Sequence, residues 1–414
     1  MPNITPDQLL PMTSTLKYTL LLLMAACYLT ADSAERQPTV ILIPGIGGSV
    51  LNTCQSGPKF EDKRTVIVAD CRRVYLDYVY ADQMSKEYLI SKFDPKSLKT
   101  SSVKNYTLSV SWKNDGLDAI DTLDPDLWFF SYRSWYFHET ILDFKRLLPN
   151  VTLVGYPYDW RQHVCEESIL TNLHSLFKRN SPPFVIVTHS MGALVLRCAL
   201  LRYPELADVI KGVVLIAPPL GGSFMAIQAV LWGYDFGIPY TWMGGMKTDT
   251  SRSVALGIGS VPCLLPTGNR TFISYRTLDG KNVTIDKDEL VDFLSEATGN
   301  STSHYSIGSV WSTKPIPKLP TTVVIGTEIG TPIGYDIPQP ISQPSDAIKY
   351  PMNNKAIRYG PGDGTVPSEW VEEAIQKLVP GSSIRKYLGS KNHVDMLSDD
   401  DLIKDISDII KGYL

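Results

Sequence analysis

The chain has 414 residues, 43% of them apolar, with 39 basic against 43 acidic side chains and a formal net charge of -4. That length suits one large catalytic domain with insertions, or two domains, and that apolar fraction can bury a sizeable core. The slight acidic excess, with no basic run, removes the electrostatic basis for nucleic-acid binding.

The first distinctive segment is Leu16 to Leu29, apolar apart from Lys17 and a few small polar residues. A membrane span needs about 20 consecutive apolar residues, which this run lacks. The charge ahead of it and the small residues Ala31, Ser33 and Ala34 behind it fit a secretory signal over residues 1–34. Initiation at Met12 would give that signal a conventional length, and an uncleaved anchor is the other reading. Cleavage removes Cys27 and leaves five cysteines. Cys54 and Cys71 bracket a polar loop and are the natural disulfide of an oxidising compartment. Cys198 reads as a small buried hydrophobe, and Cys165 has Cys263 as one candidate partner. Sequons at Asn105, Asn150, Asn269, Asn282 and Asn300 are glycan acceptors in the same compartment. The sequence has no C-x-x-C pair and no H-E-x-x-H, so neither a metal nor a cofactor is expected.

Thr39-Val40-Ile41-Leu42-Ile43 reads as a first buried strand, followed by the glycine turn Pro44 to Ser49. Valine at position 50 breaks the dinucleotide fingerprint G-x-G-x-x-G. In a serine hydrolase such a loop donates a backbone N–H to an oxyanion; in other proteins it is an ordinary turn. The loop 54–71 is either a mobile lid or, given Lys59, Glu61, Asp62, Lys63 and Arg64, a plain solvated loop. Residues 124–144 are dense in aromatics, which more often means core than ligand, and part of them is expected to form a helix packed on a sheet. Val151–Val154 reads as the next strand, leading into Gly155-Tyr156-Pro157-Tyr158-Asp159-Trp160-Arg161, and residues 166–178 as a crossover helix.

Phe184 to Gly192 is the stretch around which the rest is organised. Phe184-Val185-Ile186-Val187 is a buried strand, residues 193–203 form a helix that stops before Pro204, and Ser190 stands at the turn between them. A nucleophile elbow needs this order, because the sharp reversal lifts the central hydroxyl above the sheet. The pattern is G-x-S-x-G with Thr188 at the first glycine, and alone it also arises by chance. Residues 212–217 supply another strand, so strands alternating with helices predict an α/β fold with a mainly parallel sheet and helices on both faces. The rhythm breaks over residues 223–320, which read as a cap inserted between a first core part (38–222) and a second (321–414).

The second part holds a strand at 322–326, a further strand at 356–359, the turn Gly362-Asp363-Gly364-Thr365-Val366, and a strand at 383–388 followed by His393. A lone histidine is more often structural. The order Ser190, Asp363, His393 is that of an α/β-hydrolase triad, and those three residues are the candidate nucleophile, orienting acid and base. His189 is a poor base candidate, because its side chain should diverge from Ser190 at the turn.

Eight motifs in register resemble the lecithin:cholesterol acyltransferase-like lipases, which include lysosomal phospholipase A2. They are Ile43-Pro44-Gly45 with Gly48-Ser49, Pro157 to Arg161, His189 to Gly192, Ala217-Pro218 with Gly221-Gly222, Leu264-Leu265-Pro266, Gly326-Thr327 with Thr331-Pro332, Gly362 to Val366 and His393 to Leu397. The resemblance implies an α/β-hydrolase fold with a cap and a disulfide-closed lid over 54–71. It also implies a glycerophospholipid acyl hydrolase or transacylase. Backbone N–H groups of Ile46 and Met191 would hold the oxyanion, and Gly45, Tyr158 and Trp160 would serve substrate binding, with Trp160 lining the acyl channels. A phospholipid membrane or lipoprotein surface is the expected partner, with a monomeric protein in the secretory pathway, secreted or lysosomal/vacuolar. Three departures qualify the match. Ile46 stands where the lysosomal branch carries an acidic residue, the 54–71 loop lacks tryptophan and leucine, and no cysteine follows Cys263. The first counts against a strictly acidic pH optimum, and the other two favour a phospholipase A over a phospholipid:sterol O-acyltransferase. A non-catalytic lipid-binding protein on the same fold is the alternative of another class, and the presence of all three triad candidates speaks against it.

Overall fold

The apolar runs of the sequence become six parallel strands of one sheet: β1 (Thr39–Ile43), β2 (Thr152–Gly155), β3 (Phe184–His189), β4 (Ile210–Ile216), β5 (Thr321–Gly326) and β6 (Ser383–Tyr387). The computed structural model describes residues 37–61, 64–126, 134–234, 241, 244–311 and 314–414. The expected signal over residues 1–34 lies outside them. Across the sheet the order is β6-β5-β4-β3-β1-β2, with every neighbouring pair parallel. Strands β1, β3 and β5 are buried at every residue, as parallel strands covered on both faces must be. The connections leave the β1/β3 boundary in opposite directions, so the carboxyl ends of these two strands flank a topological switch point.

Helices α1 (His138–Leu147), α2 (Glu167–Arg179), α3 (Gly192–Arg202), α4 (Phe224–Leu231), α5 (Ser368–Leu378) and α6 (Asp400–Tyr413) follow the strands or cover them. Helix α2 starts where the sequence places it, because the Glu166 carboxylate accepts from the backbone N–H groups of Ser168 and Ile169. Helix α3 stops at Arg202, two residues before Pro204, which cannot continue it.

Three expectations are corrected. Residues 54–71 are not an irregular loop: Leu51–Glu61 pairs antiparallel with Arg64–Tyr75, and Cys54 faces and is bonded to Cys71. A two-stranded ribbon takes its register from backbone pairing and the sulfur link, so no apolar alternation needs to mark it in the sequence. Cys198 is not a free hydrophobe, and Cys263 is not the partner of Cys165. Helix α2 packs on α3, which brings Cys165, just ahead of α2, into a disulfide with Cys198 and leaves Cys263 as a thiol. The strand predicted at 356–359 belongs to a second, mixed sheet rather than the main one. That sheet is ordered Asn282–Ile285, Ile273–Arg276, Ile329–Asp336, Ile357–Gly362, so it joins strands from both sides of residue 320.

Among the sequons, Asn105, Asn150, Asn269 and Asn282 are exposed. Asn300 is half-buried, and its Nδ2, the atom a glycan would need, donates to the Leu256 carbonyl and to Tyr305 Oη.

His163 and His304 pack on Phe93, one stacked and one edge-on, each with a buried Nε2 that has no hydrogen-bond partner. Burial lowers the pKa of each to about 4. The unfolded chain therefore binds protons that the folded chain refuses, so stability is whole above the unfolded value near 6.5 and falls as pH drops toward 4. We expect each histidine to subtract about 1 kcal/mol by pH 5.5. The urea midpoint should be clearly lower at pH 5.5 than at pH 7.5; equal midpoints would contradict the burial of these rings.

Candidate active site

Strand β3 delivers His189 and then Ser190, whose backbone lies in the left-handed region at φ 53°. A non-glycine residue there is strained and needs surrounding support. Its own N–H donates to the Ile216 carbonyl at 2.9 Å, tying the turn to β4. A Cβ on Gly192 would stand 2.4 Å from the Ile43 carbonyl oxygen and 2.7 Å from that of Pro44, so only glycine lets α3 leave the turn beneath β1. Gly45 meets the same constraint from the other side, because a Cβ there would stand 2.7 Å from Ser190 Cβ and 3.1 Å from its Oγ. Thr188, at the first position of the motif, is fully buried, and its hydroxyl has no partner.

The structure brings the other two sequence candidates to this hydroxyl. His393 Nε2 lies 2.9 Å from Ser190 Oγ, and His393 Nδ1 lies 2.8 Å from Asp363 Oδ2. Asp363 sits in the turn after Ile357–Gly362, laid over the end of β5, where a Cβ on Gly326 would be 2.8 Å from Asp363 Cβ. Its Oδ1 accepts from the N–H groups of Thr365 at 2.9 Å and Val366 at 2.7 Å, which leaves Oδ2 for the imidazole. The His393 N–H in turn donates to the Asp363 carbonyl at 2.8 Å. With Nδ1–H given to the carboxylate, Nε2 presents its lone pair to the serine hydroxyl, the arrangement a general base requires. Relative exposures of 6%, 2% and 7% for Ser190, Asp363 and His393 put the trio in a low-dielectric setting where such hydrogen bonds are strong.

Ser190, Asp363 and His393 lie in the wall of a cavity of about 690 Å³. Its remaining walls are largely apolar: Ile46 and Gly47 after β1, Tyr75, Leu76 and Tyr78 at the root of the hairpin, Leu123, Trp135 and Tyr136, then Met225, Ala226 and Ala229 of α4 with Val261 and Leu264. A volume and lining of this kind fit an apolar ligand with its reacting group at the polar end. Among the described residues, neither the Ile46 nor the Met191 amide donates a hydrogen bond, and Met191 is the N-cap of α3. The unpaired donors at the start of α3 and the helix dipole favour negative charge beside Ser190.

Two residues expected to bind substrate stand elsewhere. Tyr158 and Trp160 are buried behind the wall, Tyr158 Oη donating to the Pro44 carbonyl at 2.9 Å and Trp160 Nε1 to that of Ser49 at 3.2 Å. They hold the turn after β1 from behind, and the Trp160 ring meets that of Tyr75, a residue of the cavity wall, edge-on at 4.8 Å. Gly45 contacts Ser190 itself rather than an open subsite. His189, as expected, is not placed as a base; its ring lies 4.7 Å from that of His393 and has partners of its own. The sequence reading missed Tyr136, whose hydroxyl lies 2.5 Å from His189 Nδ1, because it stands in an aromatic run that reads as core.

The family model described as "Lecithin:cholesterol acyltransferase" matches residues 89–297. Two Arabidopsis thaliana proteins are each 30% identical to the chain. One is "Lecithin-cholesterol acyltransferase-like 4", matched over 44% of this chain and 34% of that protein, and the other "Phospholipase A(1) LCAT3", over 50% and 46%. "Lysosomal phospholipase A and acyltransferase" of Bos taurus is 25% identical over 51% of each. The chain thus matches about a third to a half of the length of these relatives. The crystal structure of the Tle4-Tli4 complex shares the fold, with a TM-score of 0.50 at 15% identity over 92% of this chain and 99% of that one. Sheet topology, elbow and neighbour agree on an α/β-hydrolase fold.

The close approach of Gly45 to Ser190 is directly testable. Gly45→Val should shift the serine by a fraction of an ångström or more and slow its reaction with a fluorophosphonate by about 100-fold, the usual cost of misplacing a reacting atom. Labelling at the wild-type rate would mean that this wall yields freely.

Proposed function

The chain belongs to the lecithin:cholesterol acyltransferase family, and from that membership we propose that it is a serine-dependent phospholipase A that also passes acyl groups to lipid alcohols. The observation that carries the reading is the unbroken contact from Ser190 Oγ through His393 to Asp363 in the wall of a largely apolar cavity of about 690 Å³. In this reading Ser190 attacks an ester carbonyl of a glycerophospholipid while His393 Nε2 takes its proton, and Asp363 steadies the imidazolium that results. The Ile46 and Met191 amides receive the oxyanion, a contribution of about 3 kcal/mol per donor in comparable sites. Collapse expels the lysophospholipid, which takes the proton back from His393. Water, or a lipid hydroxyl entering by the same cavity, then attacks the acyl-enzyme with His393 again as base. The two disulfides fit a secretory-pathway protein.

Hydrolysis is favoured over transfer to sterol by two features of the sequence: residues 54–71 carry neither tryptophan nor leucine for deep insertion into a lipoprotein surface, and no cysteine follows Cys263. One relative is also named for phospholipase A(1) activity.

Purified protein should release free fatty acid from a phosphatidylcholine bearing two different acyl chains, and adding sterol should divert only a minor part. A dominant steryl ester product overturns the hydrolase assignment. Ser190→Ala should abolish fluorophosphonate labelling, and Asp363→Asn should slow it by about 10³- to 10⁴-fold through loss of the required tautomer. Folded wild-type protein that takes no label would instead point to the lipid-binding reading.

A further inference from the structure

The polar chain behind the triad joins the two halves of the site. The Gly45 N–H donates to Tyr136 Oη at 2.8 Å. Tyr136 Oη lies 2.5 Å from His189 Nδ1, and His189 Nε2 lies 2.8 Å from the backbone carbonyl oxygen of His393. The direction of every bond is fixed from its ends. A carbonyl can only accept, so His189 carries its proton on Nε2; Nδ1 must then accept, and Tyr136 supplies that proton while its oxygen takes the Gly45 N–H. Tyr136 and His189 are 5% and 1% exposed, so a change in either leaves buried polar groups without partners.

The ends of this chain matter for acyl transfer. Gly45 is spent on Tyr136, which holds the turn after β1 so that the next amide, that of Ile46, stays uncommitted beside the cavity. At the other end, the His393 backbone is clamped on both sides, its N–H on the Asp363 carbonyl and its own carbonyl on His189. Burial, and after it the neighbouring His393, holds the His189 pKa well below the ordinary histidine range. Burial likewise pushes the Tyr136 phenol up. Both therefore stay neutral while His393 alternates between imidazole and imidazolium.

Resting on the reading of Ser190 as an acyl-transfer nucleophile, we infer that Tyr136 and His189 are positioning residues that lock the oxyanion turn and the base histidine into one geometry. Neither exchanges a proton with substrate. They act by holding Gly45 and His393 at a fixed separation across Ser190, so the serine proton and the oxyanion are handled together.

The test uses full-length protein with a fluorophosphonate and a soluble p-nitrophenyl ester. Tyr136→Phe, which removes one oxygen, should lower kcat at least tenfold and leave KM within threefold. His189→Gln puts an amide N–H near the place of Nε2 and keeps the bond to the His393 carbonyl, whereas His189→Asn reaches only the Nδ1 side. Thermal midpoints of the two variants, measured alongside, keep a folding loss apart from a rate loss, so the expected order among folded protein, Gln several-fold faster than Asn in both labelling and kcat, separates positioning from mere support. Equal rates for the two amides, or wild-type kcat in Tyr136→Phe, overturn the inference. If wild type itself takes no label, the proposed function fails instead, and the two failures are distinct.

Discussion

Ser190 occupies a backbone conformation that a side chain rarely adopts, and much of the surrounding structure serves to keep it there. Its φ of 53° directs the hydroxyl away from the sheet while β3 enters from below and α3 departs behind it. A turn of this kind costs on the order of 1–3 kcal/mol and persists only where its neighbours determine it fully. Here they do so at van der Waals distance. Gly192 lies against the Ile43 and Pro44 carbonyls, Gly45 lies against Ser190, and the Ser190 N–H is held by Ile216. Three adjacent strands thus grip one residue, which is why the site stands at the β1/β3 switch point.

The strands of that grip were legible because parallel strands covered on both faces must be continuously apolar. Thr39–Ile43, Phe184–Val187 and residues 212–217 declare themselves for that reason. Ser190, Asp363 and His393 were legible as well, each standing just past the end of a strand in a recognisable turn. What stayed hidden depends on contacts between distant segments. Nothing local tells Cys198 on α3 that Cys165 will arrive beside it, since the packing of α2 on α3 decides the match. The hairpin from Leu51 to Tyr75 is similarly silent, its pairing set by backbone bonds and one disulfide. Trp160 and Tyr158 show a subtler limit. Their motif correctly marks the neighbourhood of the site, but a linear pattern does not reveal which layer a side chain occupies, and both stand one layer back.

That second layer is polar where a plain core would be apolar. Tyr158 and Trp160 each hold one carbonyl of the turn after β1, and beside them Tyr136 and His189, which reach the cavity wall, are fully bonded, buried and neutral. In a low-dielectric interior such a network is stable only when complete, so it specifies one geometry instead of tolerating several. Unsatisfied buried groups lie outside this network, among them Thr188 Oγ1 and the Nε2 atoms of His163 and His304. The two histidines attach the strand around Phe93 and the helix Thr302–Trp311 to the body of the protein, and their neutrality suits a mildly acidic to neutral medium better than a strongly acidic one.

The second sheet bears on access to the cavity that holds Ser190. Helix α4, Val261 and Leu264 form one side of the cavity and belong to the segment read as a cap. Strands Ile273–Arg276 and Asn282–Ile285 of that segment pair into the sheet whose far strand, Ile357–Gly362, carries Asp363. Ser223, which caps α4, donates to the Thr365 carbonyl, and the Thr365 N–H is itself bonded to Asp363. Swinging the insertion away as a body would therefore pull on the bonds that orient Asp363. The opposite wall, Tyr75, Leu76 and Tyr78, stands at the root of the hairpin. It is anchored by burial of Val74, Tyr75 and Leu76 in the core and by polar contacts: Arg73 reaches Asp124 and Asp126, and Asp124 accepts the Tyr78 N–H at 2.8 Å. The two walls are thus held differently: the side that bears Asp363 is tied to the insertion through hydrogen bonds and a shared sheet, and the hairpin side is held by core packing and the ion pairs of Arg73.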